Sequence, residues 1–493
     1  MKNLKLLPLV AMISGVLVGC GGGGGGGGGG GTPVTTYTWQ VVDLYKVERS
    51  KVGAVCAIFA NMSDGSGDVI ASRVANRDYR ILFHNSDGSV VIDKTIEGAD
   101  LPSSGIITFK ESDVPDGGYV ALEELDGRSI GQRDSYMFGV HKSLLQNMTL
   151  AISSPQTNNS CYKGEQEPVD LNVSNAVIDV LANDNPAYFM TSASNSRVKG
   201  ALGSKPEGVP VYSGIPSLEK KLVTRFEEYT NDEANNLTQY AIAPLGAVYD
   251  ATNPTATPAQ KLKGDNIVSP SFSTTDLTLS SSGVEVVLSG GVYQWQPLFD
   301  SSITYSIAKS ELDLSSWSFR LNGTTPDISG SWIYTAQKVA DGNDVNISYP
   351  NVHDFSTTTI GACGNSYCVN SVGYSPSDFQ VQRTAIRSKT DADRDFFQTV
   401  YSVPSRSQVI LKSPSEQIVP KATDRVEIQV VDSDASLRDK AKFTMALGMN
   451  LQNLGTDTTF KDFNGVVMLP SEQLKYKKLM MSQNYQALSN KVN

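Results

Sequence analysis

Beyond Thr35 the apolar residues of this chain come in short runs, each cut off by Gly, Pro, Asn, Asp or Ser, and this limits the possible folds more than any other feature. An amphipathic helix needs an apolar stripe sustained over roughly ten residues, whereas runs of about four to eight that alternate apolar with polar suit strands. Tyr37, Trp39 and Val41 alternate in this way, and comparable runs follow at 54–60, 69–74, 78–83, 90–96, 105–110, 118–125, 136–141 and 148–152. Asp87-Gly88 separates two of them with a residue pair favoured in tight hairpins.

Strands at that spacing predict a sandwich of two packed sheets, immunoglobulin-like or transthyretin-like, over residues 35–160. From 165 to about 270 the texture is richer in Asn, Pro and Gly. A β pattern returns at 276–339 (Val284 to Leu288, Val292 to Trp295, Trp317 to Leu321, Trp332 to Thr335) and again at 378–431. We therefore expect an all-β chain of multiple β-sandwich domains, with a larger β-rich region over 165–470 that divides into one or two sandwiches. The segment 471–493 is the best helix: Pro470-Ser471-Glu472 suits a helix start, and Leu474, Met481, Tyr485 and Leu488 recur near helical spacing. That helix is expected to dock on the body, with a partner-binding or membrane-surface role as the alternative. No repeat of 20 to 50 residues stands out, which argues against a solenoid or propeller.

The first twenty residues are of another kind. Lys2 and Lys5 precede an apolar stretch from Leu6 to Val18, too short to span a bilayer, and it closes on Leu17-Val18-Gly19-Cys20. This segment resembles the leader of bacterial lipoproteins, which implies a signal peptide over 1–19 and lipid on Cys20. In that class the residue after the cysteine helps to sort between membranes, and Gly21 in place of aspartate implies the outer membrane. Acyl chains supply about 0.8 kcal/mol per buried methylene, so several on one cysteine hold stably. Gly21 to Gly31 is an unbroken run of eleven glycines; with Cys20 it forms a flexible tether over 20–34, with an r.m.s. reach of roughly 18 Å.

Charge and cysteine usage narrow the function classes. Lys+Arg number 41 and Asp+Glu 51, a net charge of −10 that deepens by two if Lys2 and Lys5 leave with the leader. An acidic body argues against nucleic acid as a partner. Four cysteines remain beside Cys20, and in an exported chain two disulfides are the economical reading. Cys363 and Cys368 enclose only four residues and are expected to pair with each other, which leaves Cys56 with Cys161.

Candidate chemistry is sparse. Only His84, His141 and His353 could act as a general base, and there is no Gly-x-Ser-x-Gly elbow, so we expect no enzyme and no cofactor. Asp391, Asp393 and Asp395 stand at positions 1, 3 and 5 of a calcium loop, but Phe396 and Ser402 replace the glycine and glutamate that complete it. The choice there lies between a looser calcium site and a solvated acidic loop. Tyr293 with Trp295, Trp317 with Phe319, and Trp332 with Tyr334 each place two rings on one sheet face. These six rings either fill a sandwich core or offer a platform for sugar rings. Finally, 178–185 (Ile-Asp-Val-Leu-Ala-Asn-Asp-Asn) resembles a phrase of the cadherin-like repeats of large bacterial adhesins, without their acidic continuation.

Together these features lead us to expect a protein lipid-anchored in the outer membrane, at the cell surface rather than the periplasmic face. Its ectodomain would serve recognition or adhesion toward a surface protein or glycan of another cell. The alternative is a periplasm-facing structural or assembly accessory of an envelope machine, with envelope proteins as partners.

Overall fold

The computed structural model describes residues 34–62, 66–125, 134–152, 160–166, 172–176, 188–193, 197–201, 209–212, 220–230, 233–244, 264, 266–288, 291–298, 303–310, 316–326, 332–415, 417–421, 424–449, 451 and 465–491. The leader with Cys20, the glycine run and the 178–185 phrase lie outside the described residues. Strands dominate, with two α-helices among the described residues: α1, Leu437–Leu447, and α2, Pro470–Met481. The chain is all-β in several sheets, as the short alternating runs predict.

A twelve-stranded sheet forms the frame. At one end lie Gly291–Leu298, Thr278–Leu288, Ser316–Thr324 and Ile333–Val339, each antiparallel to the next. Tyr485–Lys491 follows, inserted between Ile333–Val339 and Arg425–Ser433. Val381–Lys389 and Asp395–Ser402 come next, and Ser135–His141 then pairs in parallel with Asp395–Ser402. Tyr119–Leu125, Tyr79–His84 and the short Ile96–Glu97 complete the row.

The middle of this sheet buries both faces, and residue parity decides which core each side chain joins. Val426, Ile428, Val430 and Leu488 enter a core with Trp295, Trp317 and Trp332. Val431, Tyr485, Ala487, Val381 and Tyr401 enter another, with Trp39, Phe83 and Phe109. Successive residues of a strand point to opposite faces, so a strand between two cores carries apolar residues of both parities.

A second sheet is built on the long strand Thr36–Glu48. Its first half pairs with Ile106–Lys110 and its second with Asp68–Val74, while Met148–Ile152 runs parallel along its middle. The change of partner occurs at Val41, whose N–H donates to the Gly105 carbonyl at 2.8 Å. Gly105 has φ +67°, and a β-carbon there would lie 2.7 Å from the Val41 carbonyl oxygen; only glycine suits both conditions.

Two boundaries differ from those expected. Four strands from 79–141 extend the large sheet through Ser135–His141, and Gly465–Val467 joins the second sheet beside Met148–Ile152. The frame therefore runs across position 160 instead of closing there, because alternation marks a strand without naming its partner. In the C-terminal segment, α2 starts at Pro470 but stops at Met481, and Tyr485 and Leu488 belong to a strand. Helix α1 was not expected, although Ser436 caps it by accepting from the Asp439 N–H at 3.2 Å.

Candidate functional site

The six aromatic residues are core. Tyr293, Trp295, Trp317, Phe319, Trp332 and Tyr334 are each at most 1% exposed. Trp295 meets Trp317 edge-on at 4.6 Å between centroids and Tyr240 at 5.0 Å, while Trp332 contacts Phe355 and Tyr374. A sugar ring cannot reach them, which corrects the glycan reading of Tyr293, Trp295, Trp317, Trp332 and Tyr334. Pairs at spacing two share a face as expected, but a second layer covers that face.

The acidic loop is not assembled into a calcium site. Asp395 turns to Lys389 at 3.0 Å and Arg387 at 3.3 Å, and Asp393 lies 3.7 Å from Lys421 with φ +56°. Asp391 is exposed. Among the described residues no three His, Cys, Asp or Glu side chains come together as metal ligands would. Asp393 and Asp395 are thus turned toward lysine and arginine side chains in place of a common point.

The four cysteines are bonded in two pairs. Cys56–Cys161 spans 105 residues of sequence, and Cys363–Cys368 spans five. The first bond ties the 160–163 stretch to the edge of the second sheet, where Tyr162 donates to the Ser72 carbonyl and Ala57 to that of Tyr162.

Among the described residues the histidines do not gather with a nucleophile and a carboxylate. His353 offers its backbone carbonyl to the Trp332 indole, and His141 Nδ1 lies 2.8 Å from Ser143 Oγ. His84 is fully buried, with Nε2 2.9 Å from the Lys412 carbonyl oxygen, to which it donates; Nδ1 has no hydrogen-bond partner among the described residues. Burial pushes its pKa from 6.5 down to about 4, against the opposing pull of that carbonyl.

The unfolded chain thus takes up the proton near pH 6.5 and the folded one only near 4. The contribution to stability is complete above 6.5 and is lost as pH falls through this window, by roughly 2 kcal/mol between pH 7 and 5. Asp43 works in the opposite sense. Burial raises its pKa to about 6 despite Arg73 at 3.0 Å, so its ionisation weakens the fold as pH rises between about 4 and 6. The His84 share is therefore read as a difference: urea unfolding of wild type and His84→Gln at both pH values should show the wild type losing roughly 2 kcal/mol more on acidification. Equal losses would refute the assignment.

A cavity lies where the helices cover the large sheet, and it is invisible in the sequence. It has a volume of about 550 Å³, within the range of small-molecule sites. Its floor is the sheet face carrying Glu285, Arg320, Gln337 and Gln429; its roof is α1 and α2. Arg320 and Gln337 are direct cross-strand neighbours, and Gln337 is in turn paired with Tyr485. Lys477 of α2 reaches down to Glu285 at 3.6 Å. One turn earlier Gln473 fixes the helix start by donating to the Met468 carbonyl at 2.7 Å. Apolar walls come from Met449, Leu451 and Val467, and from Met480 one turn after Lys477. Burial holds the Lys477 ammonium below its usual range; Glu285 opposes that shift and Arg320 adds to it. The side chains come from positions nearly two hundred residues apart, so no spacing could have announced them.

No protein-family model matches the chain, and no curated protein matches it. Among the described residues no helix is long and apolar enough to cross a membrane.

Proposed function

We propose that the chain is an outer-membrane lipoprotein, held by lipid on Cys20, whose β-rich body serves recognition at the cell surface by binding rather than by catalysis. The observation that carries this reading is the order of features at the N-terminus: a lipobox-like Leu17-Val18-Gly19-Cys20, eleven glycines, and then Thr36–Glu48, which the second sheet grips from its first residues. A tether that runs straight into a paired strand transmits load to the whole sheet, while its glycines leave the body free to turn toward a partner. The partner class is a surface protein or glycan on another cell, met through loops rather than through the buried aromatic rows.

Two measurements test this. Cys20→Ala should move most of the protein from the membrane to the soluble fraction. Protease added to intact cells should remove the C-terminal half without permeabilisation. Protection until the outer membrane is opened would overturn surface recognition and favour a periplasmic accessory of an envelope assembly. Membrane retention of Cys20→Ala would overturn the lipid anchor.

A further inference from the structure

We propose that the cavity between the large sheet and the two helices binds a single-chain amphiphile with a carboxylate head, of the long-chain fatty acid class. The inference stands apart from the tether and the surface reading, since it uses only the lining of the cavity. At one end two cations, Arg320 and Lys477, face a single carboxylate, Glu285, which Lys477 engages at 3.6 Å. Arg320 is exposed, and its side chain makes no hydrogen bond or ion pair with any described residue. The Arg320 guanidinium thus has no carboxylate partner among the described residues, and its planar fork is well matched to a carboxylate.

The other end supplies what an acyl chain requires. Gln473 and Lys477 lie four residues apart on α2, roughly 6 Å along its axis, so the wall passes from ionic to apolar within about one turn. Met449 and Met468 stand there with Leu451 and Val467, and thioether side chains adapt to a flexible hydrocarbon better than branched ones do. A neutral amphiphile would leave the Arg320 charge unanswered. A cationic one would be repelled by it.

The test is calorimetric titration of the purified full chain with palmitate and, separately, with hexadecanol. Palmitate should bind one to one and saturably below its micelle threshold, with hexadecanol at least roughly tenfold weaker. Arg320→Gln, at an exposed position, should weaken palmitate by about tenfold or more and leave hexadecanol unchanged. Ala446→Trp, which fills the cavity from α1, should abolish both; the urea midpoint of each variant reports whether it has folded. Absence of saturable palmitate binding, equal affinity for the two probes, or an Arg320→Gln variant that binds palmitate like wild type would each overturn the proposal.

Discussion

Removing the Cys56–Cys161 bond by changing both residues to alanine should destabilise the protein by about 4 to 5 kcal/mol. A crosslink restricts the unfolded chain more as the loop it closes grows, and a loop near one hundred residues corresponds to about 4.7 kcal/mol; this one spans 105. The bond also has no substitute close by. The 160–163 stretch meets the sheet through a few backbone hydrogen bonds and isolated bridges at Arg73 and Cys56. Cys363–Cys368 offers the contrast. Its loop of five residues corresponds to about 2 kcal/mol, and it lies across a hairpin whose register, Gly361 with Cys368 and Cys363 with Ser366, is already fixed by the ladder. Urea unfolding of the two double variants gives the comparison. If loss of the short bond costs as much as loss of the long one, loop length does not govern stability here.

The second large effect is expected at Trp317. Truncation to alanine at a fully buried tryptophan costs about 3 to 5 kcal/mol through lost transfer free energy and the cavity left behind. Trp317 is 1% exposed and packs edge-on against Trp295, which in turn touches Tyr240. Its indole N–H has no hydrogen-bond partner among the described residues. Trp317→Phe keeps an aromatic ring in place and removes that unpaired donor, so its cost should be less than half that of Trp317→Ala. Urea midpoints of the two variants separate the cases. A cost below about 1 kcal/mol for the alanine variant would mean that these rings do not form a close-packed core.

Much of the β architecture was legible because alternation is a direct record of burial. Trp317 and Phe319 flank a polar Ser318, and the strand Ser316–Thr324 lies where that pattern places it. What alternation cannot encode is the neighbour. Nothing in Tyr136 to Val140 points to Phe397 to Tyr401 as its parallel partner, because both read only as apolar strands. Helical spacing misled at the other end, since Tyr485 and Leu488 are three apart in a strand whose two faces meet different cores. The Ser436-x-x-Asp439 cap of α1 was present in the sequence and could have been found. The cavity could not: Glu285, Arg320 and Lys477 become neighbours only when α2 settles on the sheet.

The position of Tyr485–Lys491 bears on the order of assembly. A polypeptide emerging N-terminus first has made every other strand of the large sheet before this one appears, yet the strand belongs between Ile333–Val339 and Arg425–Ser433. Until it arrives, both of those neighbours present unsatisfied edges of the kind that recruit foreign strands. Without it the two halves of the sheet share no ladder at this point, so joining them waits on long-range pairing. Residues 485–491 are in that sense a keystone: the last strand in the sequence is the one that joins the two halves of the sheet.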